Sequence, residues 1–417
     1  MQGEVVSQGS RLLSGLRVVE CSMLGPGAVS TPLADLGADV IKIEPPSGDY
    51  IRSMSWPIVD GKSLLHLHIS RGKRSIVLDL RTEIGRKVFL ELVAGADVVV
   101  EAMRPGGLDR RGLGYARLCE INPQIVMFTI SGYGMTGPYR DLPSHGIAYD
   151  AWAGTVGPVP GSDGLPSIPD HTSIGITAGP LFGTAAILAA VLNARQTGQG
   201  CHLEVAQSDA AAAFDWLRSE GHRAYARPQS EVTGNPTDGL ERRPPGTAGM
   251  AEGVRYQFYA SKDGHVLFMA SERKFWRNFC SAVGRDDLFI AHPGAEFADH
   301  ARGNVALRHE LSAIFRERTT AEWVDLGLAS DVPIGPVNTP ADIGADPQFV
   351  DRMPWQPADR LIADQLPFPV RVVGEAPPVA PRPAPDRGEH TEEILRDVLG
   401  YDEARIARLR QAGAFGG

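Results

Sequence analysis

Residues 16–44 read LRVVECSMLGPGAVSTPLADLGADVIKIE, and this stretch decides the fold class. Leu16 to Cys21 is a short apolar run of strand type. Gly25-Pro26-Gly27 turns the chain, AVSTPLADLG reads as a helix that stops at Gly37, and Asp39 to Glu44 is a second strand closed by Pro45-Pro46. Two strands joined through a helix form a β-α-β unit, which makes a parallel sheet and an α/β fold the expectation. The turn LGPG lacks the spacing GxGxxG, so it carries no dinucleotide fingerprint.

Working outward, residues 70–81 read SRGKRSIVLDLR. A basic turn (Arg71, Lys73, Arg74) opens a strand over Ser75 to Leu80, with Arg81 at its far end. A helix over Glu83 to Val93 follows, then the strand ADVVVEA, then Met103-Arg104-Pro105-Gly106 and, beyond it, Arg110 and Arg111. The carboxyl ends of parallel strands form a binding crevice, so cations recurring there suit a polyanionic ligand such as a phosphate. A solvated basic face is the plainer reading of the same charges.

From Ile130 to Gly179 the chain is rich in glycine and carries His145, Asp150, Asp170 and His171. Glycines let the backbone turn sharply and approach a ligand, so this region is the candidate pocket floor; a solvated loop is the competing reading. Residues 180–195 are apolar or small and read as a buried helix. Residues 224–253 are rich in Pro, Gly and Arg and read as a crossing segment. A hairpin follows, RYQFYA and HVLFMA around Lys262-Asp263-Gly264, then an amphipathic helix at 273–283 and a capping box from Thr319 to Glu322. Pro333 to Val337 marks a return. The expected division is 1–225, the first part of a large domain; 226–330, a smaller α+β domain; and 331–417, a return segment that completes the large domain or packs on a partner chain.

Composition narrows the field. A chain of 417 residues suggests about two domains. A net charge of −9 argues against a general nucleic-acid binder. No run of about 18 apolar residues is evident, so no membrane span is expected, and the N-terminus lacks a signal-peptide pattern. Four scattered cysteines (Cys21, Cys119, Cys201, Cys280) read as reduced thiols of a cytoplasmic protein. His66 and His68 alternate on a strand-like stretch, LLHLHI, without an acidic third ligand, so no metal is expected.

The segments LSGLRVVE, LADLGADVIKIEPPSGD, RGKRSIVLDL, ADVVVEAMRPGGLDRRGLGY, NPQIVMFTISGYGMTGPY, ILAAVLNARQTGQG, VPIGPVNTPADI and GEHTEEILRDVLGY together resemble the class III CoA-transferase family. That family includes formyl-CoA:oxalate and carnitine CoA-transferases and the 2-methylacyl-CoA racemases. The resemblance implies a Rossmann-like large domain built from both chain ends, a small α+β domain, and two chains threaded into an interlocked dimer. It implies coenzyme A, as an acyl-CoA substrate, against Lys42, Lys73, Leu78, Arg81, Ala102, Met103, Arg104 and Arg110. It likens the glycine-rich part of 239–253 to a loop closing over the thioester. In the transferases an aspartate attacks the thioester and forms a mixed anhydride with the acyl group; in the racemases a His and an Asp move a proton at the α-carbon.

Here the chain departs from that pattern. The family aspartate falls at Gly175, and the racemase-like SHGIAY keeps His145 but has Gly146 for the following acid. Three enzymatic readings follow. The carboxylate has moved to Asp170 or Asp150 in an active transferase that takes an acyl-CoA and a small carboxylic acid. Or the chain is the subunit without the aspartate, paired with a homologous Asp-bearing subunit instead of forming a homodimer. Or it is a racemase or isomerase using His145. A non-catalytic acyl-CoA-binding subunit is the fourth possibility.

Overall fold

The computed structural model describes residues 12–234, 242, 250–296, 299–376 and 379–415. Of the glycine-rich loop expected to close over a thioester, residues 239–241 and 243–249 lie outside the described residues. The chain divides into two units: one runs to Asp215 and resumes at Pro347, and the other is Trp216–Asp346.

The first unit is built on six strands: β1 Arg17–Cys21, β2 Asp39–Glu44, β3 Arg74–Val77, β4 Val98–Glu101, β5 Val126–Ser131 and β6 His202–Ala206. They lie in the order β3-β2-β1-β4-β5-β6, and every neighbouring pair is parallel. This is the Rossmann order, in which strand succession reverses between β1 and β4. The helices are α1 Thr31–Asp35, α2 Leu64–Ser70, α3 Glu83–Ala94, α4 Tyr115–Ile121, α5 Ile147–Ala153, α6 Gly175–Thr197 and α7 Gln207–Phe214.

Side chains alternate across a strand, and the two faces bury different partners. Val19, Ile41, Ile76, Val99 and Met127 pack under α3 and α4, together with Ile394, Leu395, Tyr401 and Ile406 of the C-terminal segment. Val18, Val40, Val98, Val126 and Phe128 pack under α1 and α6. Each such fully buried aliphatic side chain contributes about 1.5–3 kcal/mol relative to exposure.

Two expectations are corrected. LLHLHI is helix α2, not a strand: Ser63 caps it by accepting from the His66 N–H at 3.1 Å. An apolar stretch long enough to cross a bilayer does exist, because α6 has 23 residues and a mean hydropathy of 1.8 in its most apolar window. Glycine, alanine and threonine between its larger residues hide the run in the sequence. Its buried side packs on the sheet: a Cβ on Gly183 would collide with the Phe128 ring, so only glycine lets α6 come this close to β5.

The second unit holds an antiparallel sheet of β7 Tyr256–Ala260, β8 His265–Met269 and β9 Ile334–Pro336, with β8 in the middle. Trp276, Phe279, Phe315 and Trp323 fill its core, and the capping box at Thr319 and Glu322 starts the helix Thr320–Ser330. Residues 331–346, expected to open the return, lie instead with this unit. β9 takes the edge of β8 that β7 leaves free.

Candidate active site

The cations expected to form one basic rim separate into two groups. Arg71, Lys73 and Arg74 are buried and already have anionic partners. Arg71 holds Asp35 with two bonds of 3.0 and 2.7 Å. Lys73 lies 2.7 Å from Glu20, and Arg74 pairs with Asp39 and Glu393. A buried cation needs such a partner to offset its lost hydration. Lys42 is likewise buried, between Glu20 at 3.1 Å and Asp49 at 2.9 Å. Lys42 and Lys73 therefore lie inside ion pairs and not on an exposed face.

Register explains the cluster. Glu20 of β1 stands beside Lys42 of β2, and Lys42 beside Ser75 of β3, so alternation points all three to one face. Burial alone would raise the Glu20 carboxyl, but Lys73 and Lys42 hold it at about 2. Lys42, with carboxylates on two sides, is pushed up; Lys73, with Glu20 as its nearest carboxylate, is pulled by burial down to about 8. Both lysines also grip the loop after β1. Lys42 donates to the Ser22 carbonyl at 2.9 Å and Lys73 to the Gly27 carbonyl at 2.7 Å. Asp49 accepts from Leu24 N–H at 3.2 Å, which fixes Leu24 at a φ of 60°. Glu44 completes the cluster with Arg52 at 2.5 Å and the Ser75 hydroxyl at 2.6 Å.

The remaining cations face outward past the carboxyl ends of the strands. Arg81 follows β3, with its side chain 75 % exposed and paired to Asp79. Arg104 and Arg110 are exposed in the segment after β4, beside the half-buried Ala102 and Met103; Leu78 is core. These residues lie at the carboxyl end of the sheet, by the strand-order reversal, where open α/β sheets take ligands. Glu101 at the end of β4 accepts from Thr129 Oγ1 and Met103 N–H, both at 2.7 Å, and burial raises its carboxyl. A surface cavity of about 280 Å³, lined by Asp97, Asn122, Gln124 and Arg195 among others, lies at the opposite, amino ends of β4 and β5.

The glycine-rich floor begins where β5 ends. A Cβ on Gly132 would come within 2.9 Å of the Tyr149 ring and closer still to Ser144 Oγ, so this glycine is needed for α5 to close on β5. Gly134 and Gly137 turn with φ of 91° and 82°. Tyr133 meets the rings of Tyr139 and Tyr149 edge-on at 5.9 and 6.1 Å. Gly175 is the first residue of α6, and the preceding Ile174 gives no side-chain cap. The cap comes from α5 instead: Asp150 Oδ1 accepts from both Ile174 N–H and Gly175 N–H at 2.9 Å. Asp150 is wholly buried, and its Oδ2 has no hydrogen-bond partner. His171 Nε2 lies 3.8 Å from that oxygen, with its side chain 21 % exposed.

Of the sequence candidates, Asp150 alone is tied to the start of α6, with His171 beside it. His145 and Asp170 are exposed. Sequence reasoning missed Glu20, Glu44 and Asp49; a signal existed, since a glutamate inside RVVEC is out of place in an apolar strand unless a cation meets it. It also missed Tyr149, which fills the space where a residue-175 side chain would start. Among the described residues no group of three His, Cys, Asp or Glu is placed to hold a metal. His66 bonds Arg52 and His68 bonds Arg71, and burial pushes each imidazole down to about 4.

Comparison with known proteins bears on the whole chain. The model of CoA-transferase family III matches residues 13–391. The succinyl-CoA–L-malate CoA-transferase beta subunit of Chloroflexus aurantiacus is 30% identical, over 95% of this chain and 96% of that one. The succinyl-CoA:mesaconate CoA-transferase of Haloarcula marismortui is 33% identical, over 94% and 97%. The crystal structure of a CAIB/BAIF family protein from Brucella suis superposes with a TM-score of 0.72 at 29% identity, covering 93% of this chain and 99% of that one. Matched along nearly its full length by that model and by relatives aligned almost end to end, the chain belongs to CoA-transferase family III.

Proposed function

We propose that this chain moves coenzyme A between an acyl-CoA thioester and a small carboxylic acid, with dicarboxylic acids as the first class to test. The observation that carries the reading is the set of exposed arginines at the carboxyl end of the sheet, by the β1/β4 reversal. Arg104 and Arg110 stand exposed beside it and Arg81 lies past the end of β3, a set suited to the 3′-phosphate and diphosphate of the nucleotide. Lys42 and Lys73 serve that end of the sheet indirectly, by fixing the loop Ser22–Gly27. The dicarboxylic preference follows the relatives, whose names pair succinyl-CoA with L-malate and mesaconate.

The chain acts in a dimer, on this reading. Helix α6 leaves Leu181, Phe182 and Leu192 at 51, 46 and 62 % exposure, an apolar surface that a second chain would cover. Glycine at position 175, and a relative named as a beta subunit, make a partner that is a homologous Asp-bearing subunit the second form to test, beside an identical copy. The racemase alternative has less support, because His145 is exposed and Gly146 replaces its acid. Four free thiols fit a reducing, cytoplasmic setting.

The test mixes purified chain with succinyl-CoA and L-malate, mesaconate, oxalate or glutarate and follows the new thioester by chromatography. Transfer by the lone chain supports the homodimer; transfer only after adding an Asp-bearing homologue supports the two-subunit form. α-Deuterium exchange without transfer would mark a racemase. Binding of acyl-CoA with neither reaction leaves a binding subunit, and absence of acyl-CoA binding removes the proposal.

A further inference from the structure

We infer that Asp150 is the catalytic carboxylate of this chain and that the main-chain N–H groups of Ile174 and Gly175 form its oxyanion hole. The inference rests on the CoA-transferase reading above.

Three observations converge on Asp150. The first is its place. Its Oδ1 is 2.9 Å from the N–H of Gly175, so a carboxylate stands one hydrogen bond from the backbone position whose side chain is missing. Tyr149, its neighbour on α5, occupies the space a Cβ at 175 would need, at 2.7 Å. Helix α5 thus fills that position and brings a carboxylate with it. The second is the geometry of the bonds. A helix cap ordinarily comes from the N-cap residue, but here it comes from 24 residues away, and both amides converge on one oxygen. The third is the other oxygen. Oδ2 is buried without a hydrogen-bond partner, a state that ordinarily calls for an explanation, since a purely structural cap would gain from satisfying it. His171 stands nearest, 3.8 Å away. Among the described residues, no backbone–backbone hydrogen bond ties residues 168–173 to another element. For a thioester to reach Oδ2, this segment must move aside.

The chemistry divides between the two oxygens. Oδ2 attacks the thioester carbonyl carbon, the C–S bond breaks, CoA leaves as the thiolate, and a mixed anhydride forms. The thiolate then attacks Asp150 Cγ. Negative charge collects on Oδ1, where two N–H groups already point, and the donor's acid leaves as a carboxylate, giving an aspartyl-CoA thioester. The acceptor carboxylate attacks the same Cγ, again loading Oδ1, and expels the thiolate. The thiolate takes the acceptor's acyl carbon, and Asp150 is restored as a carboxylate. No net proton and no further reactant is required.

The experiment incubates the full-length protein with succinyl-CoA, traps with hydroxylamine or borohydride, and maps the modified residue by peptide mass spectrometry. Binding of succinyl-CoA is measured in parallel by calorimetry. The expected result is modification at Asp150 in the unmutated protein. It is accompanied by loss of the label and a fall in transfer of at least about a thousandfold in Asp150→Asn, with succinyl-CoA binding retained. Asparagine keeps an oxygen for the two N–H groups, so the helix start survives. A label on Asp170 or any other carboxylate overturns the inference, as does full transfer by Asp150→Asn. Binding without any label in the unmutated chain overturns it while leaving the broader reading standing. Failure to bind succinyl-CoA removes both.

Discussion

At residue 175 a missing carboxylate is also a matter of space. A Cβ there would sit 2.7 Å from Tyr149 Cβ and 3.0 Å from the Gln207 carbonyl oxygen, and backbone cannot yield as a side-chain tip can. Gly175→Asp is therefore expected to cost about 1–3 kcal/mol, as overpacking does, and to bring no gain in transfer, read as a lower urea midpoint beside an unchanged rate. In a double-mutant cycle Tyr149→Gly, which removes that Cβ, should couple favourably with Gly175→Asp, since the two side chains compete for one place. Glu20 is a second single-residue test. Its carboxyl is lowered from 4.5 to about 2, so the folded state binds its proton less readily than the unfolded state. The stability it contributes is then complete above pH 4.5 and is lost as the pH falls toward 2. Glu20→Gln leaves Lys73 without its nearest carboxylate and should cost about 3–5 kcal/mol at neutral pH. An acid-unfolding curve with unchanged slope below pH 4.5 in that variant would remove Glu20 from the account.

Among elements, α6 has a side without a partner in this chain's described residues. Its buried side meets β5, yet Leu181 and Phe182 on its first half and Leu192 on its second stand exposed. If α6 carries the proposed dimer seam, Phe182→Arg should give a monomer in sedimentation velocity where the unmutated chain gives a dimer, with far-ultraviolet dichroism unchanged. A variant that still sediments as a dimer would move the interface elsewhere. Elements with local signals were legible in the sequence: β1, β2, the hairpin β7–β8 and the capping box at Thr319 each announce themselves through period, turn or cap. Helix α2 was not, because two alternating histidines imitate a strand, and its cap, Ser63, gains meaning only once His66 N–H turns toward it. β9 was not either, since three residues acquire strand character only by pairing with β8.

Across the whole molecule, the candidate binding residues were legible as charges but not as partners. A sequence shows seven cations near strand ends; it does not show that Asp35, Glu20 and Asp39 come from the first β-α-β unit to take Arg71, Lys73 and Arg74. Tertiary pairing leaves Arg104 and Arg110 facing solvent on a chain of net charge −9, and a local positive site on an acidic protein must hold its ligand by specific contacts instead of general attraction. Arg110 also donates to the Pro105 carbonyl at 3.0 Å, which steadies its head in the segment after β4. A charge-assisted hydrogen bond is worth about 1.5–3 kcal/mol, so Arg104→Ala or Arg110→Ala should weaken CoA binding by roughly ten- to a hundredfold, with little change in thermal midpoint. Lys73→Met should do the reverse, lowering the midpoint because it uncovers Glu20 in the core. Repeating the titrations with 3′-dephospho-CoA assigns the phosphates: whichever arginine contacts the 3′-phosphate loses its effect with that probe, while one bound to the diphosphate keeps it. If neither substitution changes CoA affinity, the nucleotide does not lie along the ends of β3 and β4.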